Sequence, residues 1–208
     1  FSSLSSQFLE GRKLFYGSVP FHWGVIFLFL GHLVAFLFPR SVLAWNSQPV
    51  RLMILEITAF VFGIAMLVGL INLLIRRYTT PRLKFVTNKM DLVVYLLLIF
   101  QTVMGLWIAY NFRWGSSWFS TLLTPYLNSI FTLQPDTAVV SLLPLPVKLH
   151  IIGAFVIIGL IPFSRLIHFL VPPIDYIWRP YQQVRWYWGR RKIRSPRTPW
   201  SAQRPKNN

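Results

Sequence analysis

Four apolar stretches, each long enough to cross a lipid bilayer, leave this chain of 208 residues few possible folds. A hydrocarbon core of about 30 Å holds no water to satisfy backbone N–H and C=O groups. A span must therefore be a helix or part of a closed barrel, and runs of about 20 apolar residues have helical length. The stretches cover residues 19–38, 53–75, 90–110 and 147–171. Glu56 and Asp91, acidic members of the second and third, lie near their ends. A soluble helical domain would show amphipathic stripes and denser charge, whereas here 54% of residues are hydrophobic and 12% charged. The sequence predicts an all-α fold, an integral membrane helical bundle with four transmembrane helices.

Charge then orients the bundle. Arg12 and Lys13 precede the first stretch, and Arg76, Arg77, Arg82, Lys84 and Lys89 join the second to the third. Arg165 lies inside the fourth, and nine more basic residues follow it, from Arg179 to Lys206. Only Arg40, Arg51, Arg113 and Lys148 fall on the opposite side. Basic loops stay cytoplasmic, so the N-terminal stretch, the second connection and the tail are expected inside, in a multi-pass protein of the plasma (inner) membrane. A net charge of +16 invites a nucleic-acid reading. Basic residues confined to one membrane side instead mark topology and attraction to anionic lipid, and no nucleic acid is expected.

Three regions follow: an interfacial lead-in over 1–18, the membrane domain over 19–171, and a basic tail over 172–208. Residues 1–17 hold no apolar run of secretory-leader length, so no leader is expected within them. The connection over 111–146 carries Trp114, Trp118, Phe119 and Tyr126; it reads as an aromatic belt at the headgroups, with a functional lid as the alternative. The tail combines arginines with Tyr176, Trp178, Tyr181, Trp186, Tyr187, Trp188 and Trp200. It is too basic to bury a core alone, and aromatics with arginine are the side chains that dominate interfaces. The chain has no cysteine, which excludes disulfides, thiolate-bound iron–sulfur clusters and thioether-linked haem. Any iron–sulfur or molybdenum chemistry belongs to other subunits.

All four histidines lie on the first and last stretches: His22 and His32, then His150 and His168. A histidine is costly in hydrocarbon unless its nitrogens are satisfied, so each is a functional-site hypothesis. One such residue is often a packing histidine; two on each of two helices are what a pair of six-coordinate haems needs. The two helices run antiparallel after three crossings, which pairs His22 with His168 and His32 with His150. In straight helices the two spacings are about 15 Å and about 27 Å, so tilt and a kink at Pro162 must absorb the difference. Zinc or copper held by imidazoles would need ligands converging on one point, whereas these separations imply two centres. Gly24, Gly31, Gly153 and Gly159 on the same helices would let a macrocycle approach the backbone.

The run Lys148-Leu149-His150, followed by Pro162-Phe163-Ser164-Arg165-Leu166-Ile167-His168, closely resembles the haem b (gamma) subunit of membrane-bound respiratory nitrate reductases, or the related subunit of nitrite oxidoreductase. Phe21-His22 and Gly31-His32, Arg76-Arg77 with Thr80-Pro81-Arg82, the positions Asp91, Gln101 and Gly105, and the run from Tyr181 to Arg185 carry the same resemblance. It covers roughly residues 5–185. The family has one further membrane helix before this stretch, which the sequence does not include.

The resemblance implies two haem b groups, one held by His22 and His168 nearer the cytoplasm and an outer one held by His32 and His150. It implies a quinol site at the outer haem, where Arg51 aligns with a family lysine and Gly31 and His32 line the pocket. Arginine there keeps the charge but is a planar donor of higher pKa. Arg165, three residues before His168, is expected to pair with a haem propionate, with snorkelling to headgroups as the alternative; Lys148 is a similar candidate at the outer haem. Glu56 is a candidate proton acceptor.

The expected role is an electron-transfer membrane anchor, with quinol oxidation here and terminal catalysis on another subunit. The partners implied are an iron–sulfur electron-transfer subunit, a molybdenum catalytic subunit reducing nitrate, quinone and membrane lipid. Alternatives are the same scaffold running in reverse from nitrite oxidation, a free-standing transmembrane haem b reductase of ascorbate or ferric iron, and a haemless anchor.

Overall fold

The computed structural model describes residues 12–84 and 86–170. Most of the lead-in and the whole tail lie outside the described residues, as do the side chains at 12, 13 and 82. The described residues are helical, with no strand among them. Four helices have the length and apolarity to cross a membrane. They are α1 (Arg12–Leu37), α3 (Pro49–Thr79), α5 (Lys89–Asn111) and α9 (Leu145–Leu160), the last extended to Phe163 by a 3-10 turn. Only 11–22% of the most apolar window of each span is fully buried within the chain, and the rest is exposed or half-buried, which leaves the apolar surface that lipid contact requires.

Proline sets the starts. Pro39, Pro49 and Pro81 open α2 (Pro39–Asn46), α3 and α4 (Pro81–Lys84), where a missing N–H costs nothing because the first turn has no partner for it. Asn88 and Asp91 form a reciprocal capping box at the start of α5. The Asp91 N–H donates to Asn88 Oδ1 at 2.7 Å, and the Asn88 N–H donates to Asp91 Oδ2 at 3.1 Å.

The spans pack in sequence, α1 on α3, α3 on α5 and α5 on α9, whereas α1 and α9 share no comparable interface. Small residues allow the closest approaches, as in membrane helix pairs generally. A Cβ at Gly69 of α3 would lie 2.5 Å from the Phe21 nitrogen of α1, and one at Gly24 would lie 2.7 Å from the Phe62 oxygen. Gly153 meets the Gln101 side chain in the same way between α9 and α5. Gly24 and Gly153 are therefore spacers between protein helices rather than the macrocycle contacts expected from sequence. Gly31 and Gly159 do face open space. Met66, Leu70 and Leu98 form the buried centre, with Phe21, Val25, Tyr95, Ile157 and Leu166 against it.

Two expectations change. The fourth stretch is not one helix over 147–171. Pro162 cannot supply the N–H that a continuing helix needs, and Ser164 is extended (φ −127°, ψ 175°). The chain resumes as a separate 3-10 segment, Arg165–Leu170.

The connection over 111–146, for which no regular structure was expected, is also helical. It folds into α6 (Gly115–Trp118), a π-helical turn (Phe119–Leu123), α7 (Thr124–Phe131) and α8 (Ala138–Leu142). Asn46 of α2 donates to the Ser116 and Ser117 hydroxyls at 3.0 Å. The buried Thr124 hydroxyl donates to the Ala35 carbonyl at 3.3 Å. These bonds tie the connection to α2 and to the C-terminal end of α1.

Candidate functional site

The histidines of α1 are aimed by their own helix. Nδ1 of His22 lies 2.7 Å from the Ser18 carbonyl oxygen, and Nδ1 of His32 lies 2.8 Å from that of Leu28. On the far segment Nδ1 of His168 lies 2.7 Å from the Arg165 carbonyl oxygen. A carbonyl can only accept, so each Nδ1 carries the proton and each Nε2 keeps its lone pair. This is the arrangement in which a second hydrogen bond fixes the tautomer of a metal-binding histidine.

The rings of His22 and His168 stand 6.3 Å apart between centroids, at 70° between planes. Two imidazoles bonded to opposite faces of one metal at about 2 Å each, plus about 1 Å from nitrogen to ring centre, would lie about 6 Å apart. The donor set and spacing of this pair fit a bis-imidazole haem.

His150 is held differently. Gln101 of α5 donates from Nε2 to the His150 carbonyl at 2.9 Å, while Nδ1 of His150 and Oε1 of Gln101 are both buried without a hydrogen-bond partner. A Cβ at residue 105 would lie 3.0 Å from the His150 ring, so Gly105 makes room for it. His32 meets Phe119 of the 111–146 connection edge-on at 5.5 Å. Sequence pattern alone gave Gln101 and Gly105 no physical role; their contacts cross helices and leave no periodic signal. No group of three or more metal-capable side chains is gathered among the described residues, and a haem asks for only two per iron.

The charged candidates have protein partners. Arg165 pairs through Nε with Asp91 Oδ1 at 2.8 Å and donates through Nη2 to the Val86 carbonyl at 2.6 Å. Arg77 pairs with Asp91 Oδ2 at 2.9 Å, donates to the Thr87 hydroxyl at 3.1 Å and lies over the Tyr95 ring. Lys148 donates to the Ser141 carbonyl at 2.6 Å. Arg51 is exposed and stacks over Trp45 at 5.3 Å. Glu56 accepts from the Ser116 N–H at 3.0 Å and its hydroxyl at 2.7 Å, so its carboxylate ties α3 to the 111–146 connection.

A helical membrane protein with four apolar spans, and one histidine of the first span facing another on the segment after the last, is the class that these elements define. The chain belongs to the family of nitrate reductase gamma subunits, which it matches over residues 1–187. It is 31% identical to the nitrate reductase gamma chain of Bacillus subtilis, over 87% of this chain and 82% of that one. It is 29% identical to the respiratory nitrate reductase 2 gamma chain of Escherichia coli, over 87% and 81%. A nitrate reductase-like protein, NarX, of Mycobacterium tuberculosis is 31% identical over 85% of this chain but only 28% of its own length. The chain is thus a membrane subunit of the nitrate reductase type.

Proposed function

We propose that this chain is the di-haem b membrane subunit of a quinol-linked oxidoreductase, carrying electrons from quinol toward nitrate. The observation that supports it most directly is the 6.3 Å pair of His22 and His168, both with Nδ1 committed to a carbonyl. His22 and His168 would hold one haem, and His32 and His150 the other. When bound, these groups supply one-electron carriers linking the quinone pool to iron–sulfur and molybdenum centres on partner subunits.

The protein's part is positional. α1 aims two imidazoles through carbonyls one turn back, and Gly105 clears the space for the His150 ring. Arg165 and Lys148 stay the candidates for propionate contact, with their present partners sharing the load. Arg51, Gly31 and His32 would form the quinol side, where Gly31 faces open space. The basic loop and tail would dock the iron–sulfur subunit, which in turn carries the molybdenum subunit, and would also touch anionic lipid.

Substitution of the histidines tests the reading. Replacing His22 or His168 by alanine should remove one haem b signal from membranes, and replacing His32 or His150 the other. Loss of the same signal on replacing His22 and His150 would overturn the pairing. Unchanged haem content in all four variants would overturn the haem assignment itself.

A further inference from the structure

We propose that Asp91 is a positioning residue for His168, an inference that rests on the haem-ligand reading above. His168 does not belong to α9. The chain leaves the helix at the extended Ser164, and the bonds spanning the break are long: Ser164 N–H to the Ile161 carbonyl at 3.3 Å and Ile167 N–H to the Ser164 carbonyl at 3.4 Å. No continuous ladder transmits the direction of α9 to the segment Arg165–Leu170. Something else must hold that segment if His168 is to face His22.

Leu166 packs on the buried centre and Phe169 meets Phe29 of α1 at 5.6 Å, and the polar anchor nearest the His168 backbone partner is Asp91. Its side chain is 5% exposed, and its carboxylate accepts from Arg165 Nε, Arg77 Nη1 and the Asn88 N–H. A carboxylate this buried is tolerable only with such partners. The Arg165 guanidinium is held between Asp91 on α5 and the Val86 carbonyl just before it. The backbone carbonyl of the same Arg165 receives the His168 Nδ1–H at 2.7 Å. Carboxylate, arginine side chain, arginine carbonyl and imidazole thus form one chain of contacts from α5 to the ligand. Partners at this remove fix a ligand's orientation and basicity. His22 and His32 take their aim from their own helix and do not depend on Asp91.

The test uses the whole chain, with its partner subunits, in membranes. Redox titration follows the haem absorbance, and electron paramagnetic resonance of the ferric haems reads the angle between their axial imidazoles. Asp91→Asn, which keeps the size and an acceptor for the cap, should leave both haems bound. It should alter the resonance of the His22/His168 haem alone and change its oxidation equilibrium about tenfold, or about 59 mV for one electron. Asp91→Ala should lose that haem from at least half of the molecules, and Asp91→Glu should recover most of it. The outer haem should be unaltered in Asp91→Asn and Asp91→Glu.

If the Asn and Ala variants both match the parent in resonance and potential, Asp91 positions nothing. If Asp91→Asn loses both haems together, Asp91 holds the bundle as a whole and the specific role is wrong. His168→Ala separates the two readings: if it removes no haem from a protein that carries two, the ligand assignment fails, and the role of Asp91 fails with it.

Discussion

An imidazole has one proton to place, and in this chain the backbone places it. Three of the four histidines spend Nδ1 on a carbonyl three or four residues earlier, which leaves Nε2 as the only available lone pair. The four positions stand out in sequence because a histidine in an apolar stretch needs a reason. Their aim does not, because it depends on local carbonyl geometry. Gln101, Gly105 and the engagement of Arg165 by Asp91 were also invisible to spacing, since each joins residues from different helices. Arg51, stacked on Trp45 and exposed, illustrates the residue scale from the other direction. If it hydrogen-bonds a quinol, a charged bond worth about 1.5–3 kcal/mol is removed in Arg51→Ala. Quinol-driven haem reduction should then slow by about tenfold or more while both haems stay bound. Stopped-flow reduction at the parental rate would leave Arg51 as an interfacial anchor only.

Between helices, contact distance rather than hydrophobicity decides the fit. Four spans were readable from apolar length alone, and their ends stand within about four residues of expectation except at the start of the first, which begins seven residues earlier, and at the end of the fourth, where Pro162 and Ser164 divide one stretch into two segments. The crossing of α1 with α3 could not be read, because a glycine that lets helices touch looks in sequence like one that lets a cofactor in. Gly69→Val would set new carbons against the Phe21 backbone, which cannot yield as a flexible side chain would. Overpacking of this kind costs about 1–3 kcal/mol, so the thermal transition of the detergent-solubilised protein should fall by about 2–4 °C for each kcal/mol. Gly159→Ala, facing open space, should be neutral by the same measurement. An unshifted transition in Gly69→Val would show that the helices do not approach so closely.

At the scale of the whole molecule, orientation rests on the uneven distribution of arginine and lysine, and the absence of cysteine makes it directly measurable. Single cysteines introduced at the exposed Gln134 and Lys89 should react with a membrane-impermeant thiol reagent from opposite sides, Gln134→Cys from outside and Lys89→Cys from inside. Ser201→Cys, in the tail beyond the described residues, should label from inside and become protected when the soluble partners are present. Labelling of Lys89→Cys in sealed, right-side-out vesicles would invert the topology and move the basic face away from the cytoplasm.

The length of α3 adds a further consequence. Its 31 residues rise about 46 Å, well beyond a hydrocarbon core of about 30 Å. Arg51 near one end and Arg76 near the other are separated by about 38 Å along the axis. Arg51 is exposed at one end while Arg76 is buried within the protein at the other, and a helix so much longer than the core works as a gauge of bilayer thickness. In a thinner membrane it must lean over, and α1, locked to it through Gly24 and Gly69, must lean with it.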